Sequence, residues 1–271
     1  MGWSFLGIIF IVCAVLCAVG FYKFVYFLSI GYGFAIAGGG ITVLIMAVAN
    51  GWSDHVLLLA IAQAALFAAY GARLSGFLLV REFKNLSFKK TDVFKDTLNK
   101  SDDKKMPFFV LFVIWISVAV LYTAQVAPMF FRYYNGNKDI IVPAAGIVIS
   151  VLGLILEAAA DNQKSAQKKL NPDMVATKGL YKIVRCPNYL GEIIFWMGIL
   201  ISGITAYNGA GQWITAIVAY VCIVFIMFNG AQRLEKRQMA RYGNNAEYNA
   251  YADKTPIIIP LIPVYHLNKK K

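Results

Sequence analysis

The sequence predicts an all-α, polytopic transmembrane helix bundle of seven spans, with its N-terminus outside the cytosol and its C-terminus in the cytosol. Three observations predict this class. Of the 271 residues, 59% are hydrophobic and 15% are charged, whereas soluble domains average about half and about a quarter. The ionisable residues leave apolar runs long enough to cross a bilayer, which takes about 20 residues. The basic residues collect in alternate loops, as the positive-inside rule requires.

Seven apolar segments, separated by polar or turn-forming residues, are predicted to span the membrane. The last run, residues 193–232, contains no ionisable residue and is long enough for two spans. Glycines and an asparagine at 207–212 favour a turn that divides it. Gly38-Gly39-Gly40 in the second span indicates either close helix packing or a local break. The predicted spans are 3–22, 24–50, 55–80, 107–128, 140–160, 189–206 and 212–232.

The distribution of basic residues predicts the orientation. Seven spans place 23 of the 26 lysines and arginines on one side, leave Arg132 and Lys138 on the other, and keep Arg73 inside the third span. Six or eight spans would put basic loops on both sides, so the basic side is taken as cytosolic. The first segment lacks the positive n-region of a signal peptide, and we expect a retained helix.

The net charge of +12 is explained in the first place by this membrane topology. The basic residues flank apolar spans rather than forming one soluble basic face, so no nucleic-acid partner is expected. The basic surface would attract membrane lipids with anionic headgroups or a phosphorylated cofactor. The four cysteines form no C-x-x-C pair, which predicts neither a disulfide framework nor a metal site.

Polar groups in or beside hydrocarbon are costly and therefore mark candidate functional residues. Tyr70 and Arg73 lie three residues apart in the third span and share a helix face. A cation beside a phenol makes the phenol a more acidic hydrogen-bond donor. The alternative is an arginine that snorkels or pairs with a carboxylate of another span.

A second group would form one stripe if the fifth helix continued past the membrane. Lysines in this stripe could hold phosphates, and its carboxylates could accept hydrogen bonds from ribose hydroxyls or an amide. The alternative is a solvated helix end with weak intrahelical ion pairs. The stripe consists of Glu157, Asp161, Lys164 and Lys168.

A third group lies where the sixth span begins. Pro187 can start a helix, which puts Asn188 and Glu192 one turn apart near the mouth of that span. Glu192 would need a partner there, such as Arg185 or a ligand amide.

The C-terminal tail alternates basic and aromatic residues. This composition suits a nucleotide, because basic side chains can pair with its phosphates and aromatic rings can stack on its purine. An interfacial helix at headgroup level is the alternative. The residues are Arg233, Lys236, Arg241-Tyr242-Gly243, Tyr248, Tyr251 and Thr255-Pro256 through Pro260.

Taken in order, these motifs resemble the steroid 5-alpha-reductase C-terminal-domain family, in its branch of uncharacterised bacterial membrane proteins, with sterol double-bond reductases as more distant relatives. The resemblance covers residues 66–263 of one membrane domain, 1–271, and leaves 1–65 as less-matched spans. Its pieces are Tyr70-Gly71-Ala72-Arg73-Leu74, Asp161-Asn162-Gln163-Lys164 with Lys168, Gly179-Leu180-Tyr181, Arg185 to Glu192, Tyr242-Gly243, Tyr248, Tyr251, Thr255-Pro256 and Ile259-Pro260.

The resemblance implies a reductase that binds NADPH from the cytosolic side. It would transfer a hydride to a carbon–carbon double bond conjugated to a carbonyl in a lipophilic, lipid- or steroid-like substrate. Tyr70, with Arg73 beside it, would be catalytic and donate a hydrogen bond to the substrate carbonyl. The candidates for cofactor binding are Glu157, Asp161, Lys164, Lys168, Arg185, Asn188, Tyr189, Glu192, Arg233 and Tyr248.

Two positions depart from the family pattern. Cys186 stands where a histidine is usual, which removes a hydrogen-bond donor. No Asp or Glu precedes Asp54, whereas steroid-specific members grip the 3-oxo group with an early-span glutamate, and this argues against a steroid substrate. Two other functions stay open: an S-adenosylmethionine-dependent membrane methyltransferase acting on prenylcysteine or phospholipid, and a non-catalytic lipid-binding protein. The resemblance favours a bacterial inner membrane, or the endoplasmic reticulum in a eukaryote.

Overall fold

The computed structural model describes residues 4–88 and 107–268. Part of the basic stretch between Arg81 and Lys105, and the terminal lysines 269–271, lie outside the described residues. Within the described part, all regular elements are helical. The α-helices are α1 Ser4–Cys17, α2 Ile30–Ala49, α3 Asp54–Phe88, α4 Phe108–Tyr134, α5 Ile141–Leu170, α6 Pro187–Ser202, α7 Ala210–Tyr242 and α8 Ala246–Lys254, and short 3-10 helices cover Ala18–Phe21, Phe24–Leu28, Gly179–Lys182 and Ile204–Ala206.

Seven helical segments of the described chain are long and apolar enough to cross a membrane, which confirms the predicted number of spans. The side of the membrane on which each terminus lies stays a prediction. The segments are Ser4–Phe21, Phe24–Ala49, Asp54–Gly76, Phe108–Tyr134, Ile141–Leu170, Pro187–Ala206 and Ala210–Tyr242.

Two helices continue well beyond their predicted spans. Helix α5 extends ten residues past position 160, and α7 extends ten residues past position 232. Lys168 and Lys169 occupy the last turn of α5, and Arg241 the last turn of α7, where cations interact favourably with the helix dipole. These polar extensions carry most of the charged residues of the candidate site.

The chain divides into two units, and unit 1 consists of Met1–Pro143 and Gly203–Ala219. Its helices pack closely: a Cβ at Gly71 of α3 would lie 2.3 Å from the Gly33 carbonyl oxygen of α2. Gly38-Gly39-Gly40 lies in the unbroken helix α2, and each of the three glycines faces a neighbouring side chain. The triplet therefore serves packing rather than a helix break.

Arg132, at the end of α4, is buried within unit 1. Its Nη1 donates hydrogen bonds to Asn137 Oδ1 at 2.8 Å and to the Asp139 carbonyl at 2.9 Å. The Asp139 carboxylate in turn accepts from Thr205 Oγ1 at 2.8 Å. Arg132 thus stabilises the connection after α4.

Unit 2 consists of Ala144–Ser202 and Tyr220–Lys271, and glycines control its packing. Gly146 faces Gly198, and Gly153 faces Gly191, so closely that a Cβ on any of the four would lie within 2.8 Å of a backbone oxygen on the other helix. Ser150 Oγ on α5 also donates to the Phe195 carbonyl of α6 at 2.8 Å. The backbones of α5 and α6 are therefore in direct contact.

The segment that follows α8 is hydrogen-bonded to the residues just before α6. Arg185 N donates to the Pro256 carbonyl at 2.8 Å, and Cys186 N donates to the Ile257 carbonyl at 2.9 Å. Cys186, Ile257 and Ile258 belong to one buried apolar cluster. These contacts fix the backbone that carries Arg185.

Candidate functional site

A pocket of about 210 Å³ lies wholly within unit 2. It is bounded by the C-terminal extensions of α5 and α7, the loop before α6, the first turn of α6, and α8. Its lining consists of Lys164, Lys168, Val175, Ala176, Tyr181, Arg185, Asn188, Leu234, Arg237, Gln238, Arg241, Tyr242 and Tyr251.

The lining carries five cationic side chains: Lys164, Lys168, Arg185, Arg237 and Arg241. Among the described residues that line it, there is no Asp or Glu. Asn188 lies in the first turn of α6, where the helix dipole and unpaired backbone amides also favour anions. The arrangement is suited to an anionic ligand with several negative charges.

Lys168 and Tyr242 form a hydrogen-bonded part of the wall. Lys168 Nζ donates to Tyr242 Oη at 2.9 Å and to the Pro172 carbonyl at 3.0 Å. The Arg241 guanidinium carbon lies 5.3 Å from the centre of the Tyr242 ring. Its tip also pairs at 3.4 Å with Asp173, but both side chains are largely exposed, so solvent screens this pair.

Two glutamines of α5 hold the loop that forms one side of the pocket. Gln163 Oε1 accepts from Leu180 N at 2.8 Å, and Gln167 Oε1 accepts from the amides of Thr177 and Lys178, each at 2.9 Å. Gly179 has φ +66°, and a Cβ there would lie 2.3 Å from Gln163 Oε1. The Gly179-Leu180-Tyr181 motif is thereby explained as a turn fitted against α5.

Tyr181 and Tyr251 of the wall are neutral donors. Tyr251 Oη donates to the Tyr181 carbonyl at 2.7 Å, and Tyr181 Oη donates to the Ala160 carbonyl at 3.3 Å. Burial raises the pKa of both phenols above its ordinary value. Neither adds negative charge to the site at physiological pH.

Arg185 uses only part of its hydrogen-bonding capacity within the described chain. Its Nη2 donates to Glu235 Oε1 at 2.7 Å and to the Tyr265 carbonyl. Its Nε and Nη1 atoms, and the hydroxyl of Tyr248, are buried without a hydrogen-bond partner among the described residues. Burial raises the pKa of Tyr248. The Arg185 guanidinium lies beside the Tyr248 hydroxyl and opposes this rise in pKa, so these two buried groups face each other inside the protein.

The structure brings four of the ten predicted cofactor residues together in the pocket lining: Lys164, Lys168, Arg185 and Asn188. The other six lie in unit 2 but outside that lining. Glu192 is buried and accepts from Trp196 Nε1 at 2.9 Å. Glu157 and Tyr248 are buried, Asp161 and Tyr189 are half-buried, and Arg233 is exposed.

Tyr70 and Arg73, the predicted catalytic residues, belong to α3 in unit 1. Tyr70 is fully buried, and its ring meets that of Tyr32 edge-on at 5.7 Å. Tyr32 also stacks on Tyr122 at 4.8 Å and lies 3.4 Å from the Gln125 amide nitrogen that donates to it. Tyr70, the predicted hydrogen-bond donor, thus belongs to a buried cluster of tyrosine rings that carry hydroxyl groups.

Some lining residues were not identified from the sequence as candidates. Arg237 and Gln238 follow Arg233 on α7, and the spacing of Arg233, Arg237 and Arg241 is the helical i, i+4, i+8 pattern. That pattern was a usable signal for Arg237. Val175 and Ala176 carried no such signal, because small apolar residues in a loop have no distinctive chemistry.

The fold and site define a class of protein: a multi-pass membrane protein with an intramolecular cationic pocket. Residues 31–255 match the family described as "Protein of unknown function (DUF1295)". The chain belongs to that family, which is related to steroid 5-alpha-reductase-like proteins. No curated protein and no solved structure matches the chain.

Proposed function

We propose that the protein is an integral membrane reductase that uses NADPH and acts on a carbon–carbon double bond conjugated to a carbonyl in a lipid-like substrate. The observation that carries the proposal is the pocket with five cationic side chains and no described carboxylate. NADPH offers a diphosphate and a further ribose phosphate, and arginine and lysine bind phosphates through charge-assisted hydrogen bonds. The ordered motifs that resemble steroid 5-alpha-reductases favour NADPH among phosphorylated cofactors.

The charge of the lining also discriminates against the methyltransferase alternative. S-adenosylmethionine carries a sulfonium and an ammonium group, a single carboxylate and no phosphate. Five cations around a small pocket would repel the first two groups. A phosphorylated nucleotide therefore fits the lining better.

The volume of the pocket limits how much of the cofactor it would hold. Sites for drug-sized ligands measure about 300–1,000 Å³, and this pocket measures about 210 Å³. We infer that the pocket takes the phosphate-bearing part of the nucleotide. Lys164, Lys168, Arg237 and Arg241 would pair its oxygens, and Asn188 would donate from the first turn of α6.

The remaining roles concern the reacting atoms. The nicotinamide supplies the hydride when the cofactor is bound. Hydride addition builds negative charge on the carbonyl oxygen, so a donor whose hydrogen bond strengthens with that charge lowers the barrier. We assign this donor role to Tyr70 on its motif.

The test is calorimetric titration of the full-length protein in detergent with NADPH, NADH and S-adenosylmethionine. Arg237→Gln removes a cation that lines the pocket, whereas Arg233→Gln removes an arginine one turn earlier that does not; both side chains are exposed. Loss of one charge-assisted hydrogen bond, about 1.5–3 kcal/mol, predicts roughly tenfold or greater weakening of NADPH binding in the first variant. The second should retain its affinity.

The proposal is contradicted by either of two results. One is tighter binding of S-adenosylmethionine than of NADPH. The other is equal NADPH affinity in Arg237→Gln and Arg233→Gln, since only one of these side chains lines the pocket.

A further inference from the structure

The segment Tyr265–Asn268, here called the C-terminal clasp, is bound to α7 through a single carboxylate. Glu235 is buried and accepts hydrogen bonds from five donors. Its Oε2 accepts from Leu267 N at 2.9 Å, Asn268 N at 3.0 Å and Asn268 Nδ2 at 2.7 Å. Its Oε1 faces His266 Nδ1 at 3.0 Å and Arg185 Nη2 at 2.7 Å. A carboxylate with five donors is held in its ionised form.

The His266 ring lies between two carboxylates. Its Nδ1 faces Glu235 Oε1 at 3.0 Å, and its Nε2 faces Asp253 Oδ1 of α8 at 2.8 Å. An ionised carboxylate can only accept hydrogen bonds, so both ring nitrogens must carry a proton for both contacts to form. Among the described charged groups, Glu235 and Asp253 contact the ring, and Arg185 shares the same Glu235 oxygen. Both contacts are hydrogen bonds only when the ring is an imidazolium.

The clasp also determines where Arg185 points. Arg185 Nη2 donates both to Glu235 and to the carbonyl of Tyr265, the first residue of the clasp. Arg185 also lines the pocket. Glu235 and the clasp therefore hold this guanidinium in the pocket wall from within the protein.

We propose that His266 and Glu235 are positioning residues that make the clasp dependent on protonation, and that the clasp in turn positions Arg185 for anion binding. The proposal rests on the proposed binding of a phosphorylated nucleotide in this pocket. When the imidazolium loses a proton, one ring nitrogen presents a lone pair to a carboxylate oxygen and that contact becomes repulsive. The contacts of Leu267 and Asn268 remain, so the clasp loosens rather than detaches.

Hydrogen–deuterium exchange tests the clasp without any ligand. The peptide containing residues 265–268 is followed in the full-length protein from about pH 5.5 to about pH 8, the range in which histidines change charge, with correction for intrinsic exchange rates. Protection should fall several-fold with rising pH in the wild type and be low and flat in His266→Gln. The chain has one other histidine, His55, which is exposed, and His55→Gln should behave as wild type. Identical exchange profiles in His266→Gln and His55→Gln would contradict the proposed dependence of the clasp on protonation.

Calorimetric titration with NADPH tests the positioning of Arg185. Nucleotide phosphates titrate as well, so the quantity compared is the ratio of the dissociation constants of His266→Gln and His55→Gln at each pH. Removal of one hydrogen bond in the clasp predicts a ratio of about threefold to tenfold at the acidic end, approaching one at the alkaline end. A ratio of one throughout, with the exchange difference intact, overturns the positioning role. Absence of NADPH binding in every protein refutes the proposed cofactor, and the exchange profiles still decide the clasp.

Discussion

Arg185 and Glu235 form an ion pair in which both side chains are buried, at 2% and 1% exposure, with 2.7 Å between Nη2 and Oε1. Two charges taken out of water are costly, and their mutual attraction repays this only when further hydrogen bonds complete the arrangement. Glu235 has four other donors, whereas Arg185 keeps two nitrogens without partners among the described residues. The pair therefore anchors the clasp to α7 and holds Arg185 at the wall of the pocket.

Glu235→Gln should destabilise the protein strongly, because it leaves the Arg185 charge buried without its counter-ion. Removal of one partner of a buried pair costs about 3–5 kcal/mol of the free energy of unfolding. Asp173→Asn breaks the exposed pair with Arg241 and should cost about 0–1 kcal/mol. Thermal unfolding in detergent compares the two variants. Equal decreases in Tm would show that the buried pair contributes no more to stability than the exposed pair does.

The sequence predicted the number of spans, and four of the ten predicted cofactor residues line the candidate pocket. Transmembrane spans can be predicted from the sequence because each apolar segment must by itself be long enough to cross the bilayer. Lys164 and Lys168 were predicted to share one helix face if the fifth helix continued past the membrane. Helix α5 does continue to Leu170. The clasp could not be predicted, because the contact between Glu235 and residues 265–268 joins positions about thirty apart that share no periodicity. Which part of α7 lines the pocket depends likewise on packing, since Arg237 and Arg241 line it and Arg233, one turn earlier, does not.

Tyr70→Phe should retain NADPH binding and lose turnover on an α,β-unsaturated lipid ketone. Removal of one donor to a developing oxyanion lowers kcat by about a hundredfold to a thousandfold. Tyr32→Phe is the matched control, since it removes the other hydroxyl of the same edge-on ring pair and should have a smaller effect. The rate of NADPH oxidation measures turnover, and calorimetric titration measures NADPH binding. Full turnover in Tyr70→Phe would exclude this residue from the mechanism.

Gly153→Ala should destabilise unit 2, because a Cβ there would lie 2.4 Å from the Phe195 backbone nitrogen and 2.7 Å from the Gly191 carbonyl oxygen. Backbone atoms cannot move aside without separating α5 from α6, and overpacking of this kind costs about 1–3 kcal/mol. Gly76→Ala is the control: it also lies within a helix, and its Cβ would meet no atom of the described residues within 4 Å. Alanine there should be neutral or slightly stabilising, since it favours the helix by up to about 1 kcal/mol. Tm values in detergent that fall equally for both variants would contradict the close contact.

Cys186 should be almost inert to alkylation in the native protein. Burial raises the pKa of its thiol from 9.0 to about 12, so near neutral pH its thiolate fraction is about a thousandfold below that of an ordinary cysteine. Its rate of reaction with N-ethylmaleimide, followed by mass spectrometry of the Cys186 peptide, should rise about tenfold per pH unit up to about pH 10. An exposed cysteine introduced on α5 by Ser165→Cys should react rapidly and level off near its ordinary pKa. A Cys186 rate that levels off with the control would show that the thiol is accessible and its pKa unshifted, and that the apolar cluster with Ile257 and Ile258 does not enclose it.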